Sequence, residues 1–273
     1  MLDRLSPTIH GLILDMDGVL WKDTAPIGNL QRIFARMRSL GLKVTMATNN
    51  GTITVEQYLE KLAAFDVVLD AWQVVTSAQA AAATLAEAFP DKGTVFVVGE
   101  NGVVSALCGA GFTVSTDPGE NASAIAVVAG LDRSLSYDKL RRAMWHIRAG
   151  ARFYGTNPDR TFPTPDGPVP GAGSVLAAIQ AASGTDPIVI GKPAPFMLKI
   201  CADRMQLPLN EILVVGDRLE TDIAGGQALG ARTALVLSGI STQQQADTWK
   251  PAPDFVARDL GELVGVEPSS QTS

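Results

Sequence analysis

The sequence predicts an α/β protein, a parallel-sheet core interrupted by a second, smaller α/β domain. Three observations predict it. Short runs rich in Val, Ile and Leu alternate with longer amphipathic stretches through nearly all of the 273 residues, the pattern of parallel strands joined by crossover helices. Most of these runs are continuous rather than alternating, as strands covered on both faces must be. Hydrophobic residues make up 46% and charged residues 18%, so apolar material is ample and charge too sparse for a disordered chain.

In the outer parts of the chain, strands are predicted at 11–14, 43–47, 188–190, 212–215 and 233–237. A helix over 29–40 ends at Gly41, and one over 54–64 begins with Thr54 and Gln57 at capping-box spacing. The Ala-rich run 78–86 carries Leu85, Glu87 and Phe89 in or beside it and reads as an ordinary helix. The middle segment repeats the grammar on a smaller scale, with strands at 94–98, 113–114, 124–129 and 152–154. Between the last two, Ser136 caps a helix that puts Leu140, Ala143, Met144 and Ile147 on one face and closes at Gly150. A loop with Pro158, Pro163, Pro165, Pro168 and Pro170 precedes a helix near 173–182, and Gly184, Asp186 and Pro187 return the chain to the first layer. The segmentation is therefore core 1–81, inserted domain 82–183 and core 184–273.

Charge and cysteine use exclude several function classes. Twenty-two Lys and Arg stand against 28 Asp and Glu, a net charge of −6, with no basic run; nucleic acid and anionic membrane are not expected partners. Cys108 and Cys201 have no Cys or His neighbour at metal-ligand spacing, which predicts buried thiols rather than a disulfide framework or zinc site. No apolar run reaches the ~18 residues of a membrane span, and the patch at 9–14 is broken by Asp15 and Asp17 without a cleavage pattern. The expected location is cytoplasmic. Residues 267–273 are polar and read as a frayed end.

Four strands end in polar clusters: Asp15-Met16-Asp17-Gly18, Thr48-Asn49-Asn50-Gly51, Gly191-Lys192-Pro193 and Gly216-Asp217. In an open parallel sheet the carboxyl ends of the strands line one edge, where ligand sites form, so four distant clusters converge. Asp15, Asp17, Asp217 and Asp222 would then crowd carboxylates into one site, which repels itself unless a cation is present. Mg²⁺ fits, since it takes one or two carboxylates, several waters and a phosphate oxygen. Thr48 brings a hydroxyl, Asn49 and Asn50 bring backbone N–H groups, Lys192 brings a positive charge, and Gly18 and Gly51 permit tight backbone around an anion. Such a site suits phosphoryl transfer, with Asp15 as nucleophile and Asp17 as acid and then base. A nearby Mg²⁺ favours ionised carboxylates, so Asp17 must keep its side chain off the metal.

The stretches Asp15-Met16-Asp17-Gly18-Val19-Leu20, Thr48-Asn49-Asn50, Gly191-Lys192-Pro193 and Gly216-Asp217-Arg218-Leu219-Glu220-Thr221-Asp222-Ile223 resemble, in order and spacing, the four motifs of the haloacid dehalogenase superfamily of phosphatases. With Gly155-Thr156-Asn157-Pro158-Asp159, they resemble its subfamily IIA, the NagD and 4-nitrophenylphosphatase branch. The resemblance implies a Rossmann-like, doubly wound core with an inserted α/β cap of the C2 type between the second and third motifs. It implies Asp15 as nucleophile and Mg²⁺ ligand, Asp17 as acid/base binding the metal through its backbone carbonyl, Asp217 as a ligand and Asp222 as a supporting carboxylate. Thr48, Asn49 and Asn50 would bind phosphate, and Lys192 would steady both phosphate and Asp15. Cap loops at 154–159 and the proline-rich stretch with Arg160 would choose the leaving group. A small phosphorylated metabolite is the implied substrate, and a homodimer through the cap is compatible with the branch.

Other residues carry less. His10 and His146 read as surface or structural, Gly99-Glu100-Asn101-Gly102 lacks the rest of a dinucleotide fingerprint, and Trp21 reads as core or hinge packing near the cleft. A phosphotransferase or mutase would use the same aspartyl-phosphate but must shield it from water. A non-enzymatic receiver module would share Asp, Thr, Lys and Mg²⁺, yet has no counterpart of Asp17 or of the insertion. A dehalogenase attacking carbon would need neither Asp17 nor Mg²⁺.

Overall fold

The computed structural model describes residues 8–117, 123–162, 164 and 166–266. Pro163, Pro165 and the polar end 267–273, all singled out in the sequence, lie outside the described residues. The chain forms two compact units, one of residues 1–48, 56–75 and 192–273 and the other of 49–55 and 76–191.

The first unit is built on a six-stranded sheet in the order Phe255–Ala257, Arg232–Val236, Ile212–Gly216, Gly11–Leu14, Lys43–Thr48, Val74–Thr76. The pairings from Phe255–Ala257 through Lys43–Thr48 are parallel. The two central strands, Gly-Leu-Ile-Leu and Ile-Leu-Val-Val-Gly, are buried along their whole length, which is why their sequences are continuously apolar. Helix Leu30–Ser39 buries Leu30, Ile33, Phe34 and Met37, one stripe at helical spacing, and starts where the Asn29 side chain accepts from the Arg32 N–H. Helix Phe196–Met205 buries Met197, Leu198, Cys201, Ala202 and Met205 in the same manner.

The second unit has its own parallel five-stranded sheet, ordered Ile188–Val189, Arg152–Gly155, Ala126–Ala129, Thr94–Val98, Thr113–Ser115. Its core joins Phe96, Val98, Val127, Ala129 and Phe153 of the sheet to Ala143 and Ile147 of helix Tyr137–Arg148 and to Val175, Leu176 and Ile179 of helix Ala172–Ser183. Ser136 caps the first of these helices by accepting from Lys139 N–H. His146 is buried with its ring 5.1 Å from that of Phe96, a packing role; His10 instead pairs with Glu211 at 2.8 Å on the surface.

Within the two larger sheets, three strands differ from the sequence expectation. Residues 188–190 do not extend the first sheet; Ile188–Val189 pairs with Tyr154 and Gly155 in the second unit. Two paired residues, with Ile188 exposed, are too short for their composition to say which sheet they join. Val74–Thr76 and Phe255–Ala257 are edge strands of three residues each, too brief to show a period. The same pairing explains the unit boundaries. The cut expected at 81/82 falls inside helix Ser77–Ala88, and the one at 183/184 precedes a strand that belongs to the second sheet. Cys108 is exposed and Cys201 buried, both as free thiols, so the expectation of two buried thiols holds for Cys201 alone. Among the described residues, no helix is long and apolar enough to cross a membrane.

Candidate active site

Strand pairing brings the first and fourth motifs together. Gly11–Leu14 and Ile212–Gly216 run parallel with Leu14 opposite Val215, and the Asp15 N–H donates to the Val215 carbonyl at 2.9 Å. The residues that follow, Asp15 and Asp217, therefore leave neighbouring strands at one sheet edge. Asp222 arrives from the wide turn Leu219–Ile223, where its Oδ2 accepts from the Arg218 N–H at 3.1 Å. A Cβ at position 216 would collide with the Asp222 side chain, so only glycine lets that carboxylate reach the edge. Carboxylate oxygens of Asp15, Asp217 and Asp222 all lie within 4.8 Å of one another.

Lys192 supplies the opposing charge. Its Nζ donates to Asp15 Oδ1 at 2.6 Å and to the Ala47 carbonyl at 2.8 Å, and it pairs with Asp222 at 2.6 Å. The lysine is 2% exposed. Burial alone would lower its pKa, yet contact with Asp15 and Asp222 holds the ammonium above the ordinary lysine value. Burial pushes the Asp15 carboxyl well up; Lys192 opposes that shift, while Asp222 and Asp217 add to it. Asp217 is pushed up to about 6 by burial and then by Asp222, against a hydrogen bond from the Ile240 N–H at 2.8 Å. Three carboxylates with one ammonium leave an excess of buried negative charge, and hard oxygen donors in that number suit a divalent cation. Asp15, Asp217 and Asp222 could hold one.

Asp17 stands apart from this cluster. Its side chain is exposed, and Oδ1 accepts from the Trp21 indole N–H at 2.8 Å. The intervening turn is closed by the Gly18 N–H donating to the Trp21 carbonyl at 2.8 Å. Gly18 has φ +84°, and a Cβ there would strike the Asp217 carboxylate, so glycine is needed on two counts. Thr48 ends its strand buried, and its hydroxyl hydrogen-bonds that of Tyr58. Burial, with the charges of Asp17 and Asp15, pushes the Tyr58 phenol up. Tyr58 and Trp21 were not among the expected site residues; an aromatic inside a helix or hairpin carries no motif that separates it from core.

Asn49 and Asn50 belong to the second unit. The Asn49 carbonyl accepts from Ser77 Oγ at 2.6 Å and from Asn157 Nδ2 at 2.7 Å, and Asn49 Nδ2 donates to Asp159 at 3.1 Å. Asn50 Oδ1 accepts from both the Thr52 N–H and hydroxyl, a turn-forming role. In the stretch 154–159, expected from the sequence to choose the leaving group, Tyr154 is a buried strand residue, while Asn157 and Asp159 hydrogen-bond Asn49. Gly99-Glu100-Asn101-Gly102 opens helix Asn101–Gly109, with the Gly102 N–H bonded to the Thr52 carbonyl and Glu100 held by Arg133.

Haloacid dehalogenase-like hydrolase models match residues 12–113 and 189–263. An acid sugar phosphatase of Staphylococcus haemolyticus is 33% identical over 254 residues, 93% of this chain and 95% of that protein. The chain belongs to the haloacid dehalogenase-like hydrolases. Within them it falls in subfamily IIA, as solved relatives agree. The p-nitrophenyl phosphatase from Archaeoglobus fulgidus superposes with a TM-score of 0.87 at 32% identity, covering 95% of this chain and 99% of that one. The glycerol phosphate phosphatase of Mycobacterium tuberculosis, solved with magnesium, gives a TM-score of 0.86 at 32% identity over 93% of this chain and 76% of that one.

Proposed function

We propose that this haloacid dehalogenase-like hydrolase is a Mg²⁺-dependent phosphatase that cleaves a small phosphomonoester through a phosphoryl group carried on Asp15. The observation that carries the reading is the meeting of Asp15, Asp217 and Asp222 around one point, with Lys192 buried against two of them. When bound there, Mg²⁺ supplies charge neutralisation for the phosphoryl oxygens. Asp15, Asp217 and Asp222 are its proposed carboxylate holders, with Asp17 contributing only its backbone carbonyl. Lys192 fixes the Asp15 carboxylate and offsets the negative charge of the phosphoryl group. Thr48 binds phosphate in this proposal. An Asp15 oxygen attacks phosphorus, Asp17 gives a proton to the departing alcohol oxygen, and Asp17 then takes a proton from the water that frees phosphate.

The test is release of phosphate from 4-nitrophenyl phosphate and from glycerol phosphate. We expect turnover with Mg²⁺, loss with a chelator, and restoration on adding Mg²⁺ back. Asp15→Asn should abolish turnover while retaining the wild-type circular dichroism and melting cooperativity. Full activity in Asp15→Asn would remove the nucleophile assignment.

A further inference from the structure

The Asp17 carboxylate and the Trp21 indole are joined by a geometry that the phosphatase reading does not require. Trp21 is completely buried, and its ring is fixed from two further sides: Phe65 lies 6.2 Å away between centroids, and the Lys61 ammonium sits 4.0 Å above the ring. Lys61 is itself tied down, donating to the Asp23 carbonyl at 3.1 Å. A cation over an indole face draws electron density from the ring, which makes its N–H a stronger donor. That N–H meets Asp17 Oδ1 at 2.8 Å. Indole nitrogen donates only, so the oxygen it meets must accept.

We propose that Trp21 is a positioning residue for Asp17: by occupying Oδ1 it leaves Oδ2 as the oxygen that carries the transferable proton, and it holds that oxygen in one direction. The inference rests on the reading of Asp17 as acid and base. In the first half-reaction an Asp15 oxygen–phosphorus bond forms and the ester phosphorus–oxygen bond breaks, the departing oxygen taking the proton from Asp17 Oδ2. In the second, water adds to phosphorus and gives its proton to the same Oδ2. The Asp15–phosphorus bond breaks, releasing phosphate and regenerating both carboxyl groups. A carboxyl free to rotate would present the wrong oxygen part of the time, and a displacement of about 1 Å in such a group costs up to about 100-fold in rate.

The experiment compares two leaving groups in Trp21→Phe, which keeps an aromatic ring under Lys61 and deletes the N–H. Nitrophenolate departs readily without a proton, whereas an alkoxide does not. The expected result, read as the single-turnover rate of phosphoryl transfer to Asp15, is a loss of roughly 10- to 100-fold for glycerol phosphate against less than about 3-fold for 4-nitrophenyl phosphate, while the later attack of water slows equally for both. Adding Trp21→Phe to Asp17→Asn should cost nothing more on either substrate. Equal losses on both substrates in that first step, or a further loss in the double variant, would overturn the proposal, because burial alone would then explain Trp21. Should Trp21→Phe fail to fold, benzothienylalanine at position 21, which keeps the bicyclic shape with sulfur in place of N–H, decides by the same ratio. Wild-type protein that hydrolyses neither ester would instead defeat the phosphatase reading itself.

Discussion

As a proposed holder of the metal, Asp217 would tie cation binding to pH. Its carboxyl, nearly inaccessible to solvent, is pushed from 3.8 to about 6 by burial and by Asp222. A carboxyl whose pKa is higher in the folded state favours folding while it stays protonated, below the unfolded value, and that contribution is lost as pH rises through about 6. The size is on the order of 3 kcal/mol. A bound cation reverses the balance, because it needs the ionised form that burial opposes. The midpoint difference between Mg²⁺-saturated and chelated protein should therefore widen by several degrees between pH 5 and pH 7. Differential scanning calorimetry at each pH measures it, and in Asp217→Asn most of the widening should disappear. A difference that stays flat with pH would mean Asp217 does not meet the cation.

At the scale of the element, helix Asn101–Gly109 contains its own control. Gly102 lies against the 51–53 segment of the same unit, where a Cβ would strike the Gly51 carbonyl and sit 2.7 Å from that of Ile53. Gly109 faces open space. Gly102→Ala should destabilise by about 1–3 kcal/mol through forced backbone movement, while Gly109→Ala should stabilise by roughly 0.5–1 kcal/mol by narrowing the unfolded ensemble; urea melts of the two variants give the comparison. Equal effects would mean the 51–53 segment yields to the helix. The contrast also marks what a sequence discloses. Gly11–Leu14 and Ile212–Gly216 were legible because buried parallel strands are written as apolar runs, and their ends Asp15 and Asp217 because such strands align their carboxyl termini. Tyr58 was not, the indole bond of Trp21 was not, and Asn157 and Asp159 were marked as part of a motif but not by the Asn49 they hold, since each acts through a partner 4 to 110 positions away in sequence that no local pattern identifies. For the same reason Ile188–Val189 was assigned to the wrong sheet: pairing partner, not composition, decides where two residues go.

At the scale of the whole molecule, the two units differ in how they are encoded. The first requires segments from both ends of the chain, and Asp15, Asp17, Thr48, Lys192, Asp217 and Asp222 all fall within it. The second draws its sheet and its apolar core from the continuous stretch 76–191. A continuous stretch that holds a whole sheet and core can fold alone, whereas the first unit cannot form its central strand pair, Gly11–Leu14 with Ile212–Gly216, until residue 216 is made. A protein of residues 76–191 should therefore show cooperative thermal unfolding by circular dichroism and no phosphate release from 4-nitrophenyl phosphate. The full chain should depart from two-state behaviour, with a calorimetric enthalpy exceeding the van't Hoff value. A fragment lacking a cooperative transition would show that residues 49–55, which bond to Gly102, Ser77 and Asn157, are needed to complete the second core. Phosphate release by the fragment would move the chemistry off the Asp15 cluster altogether.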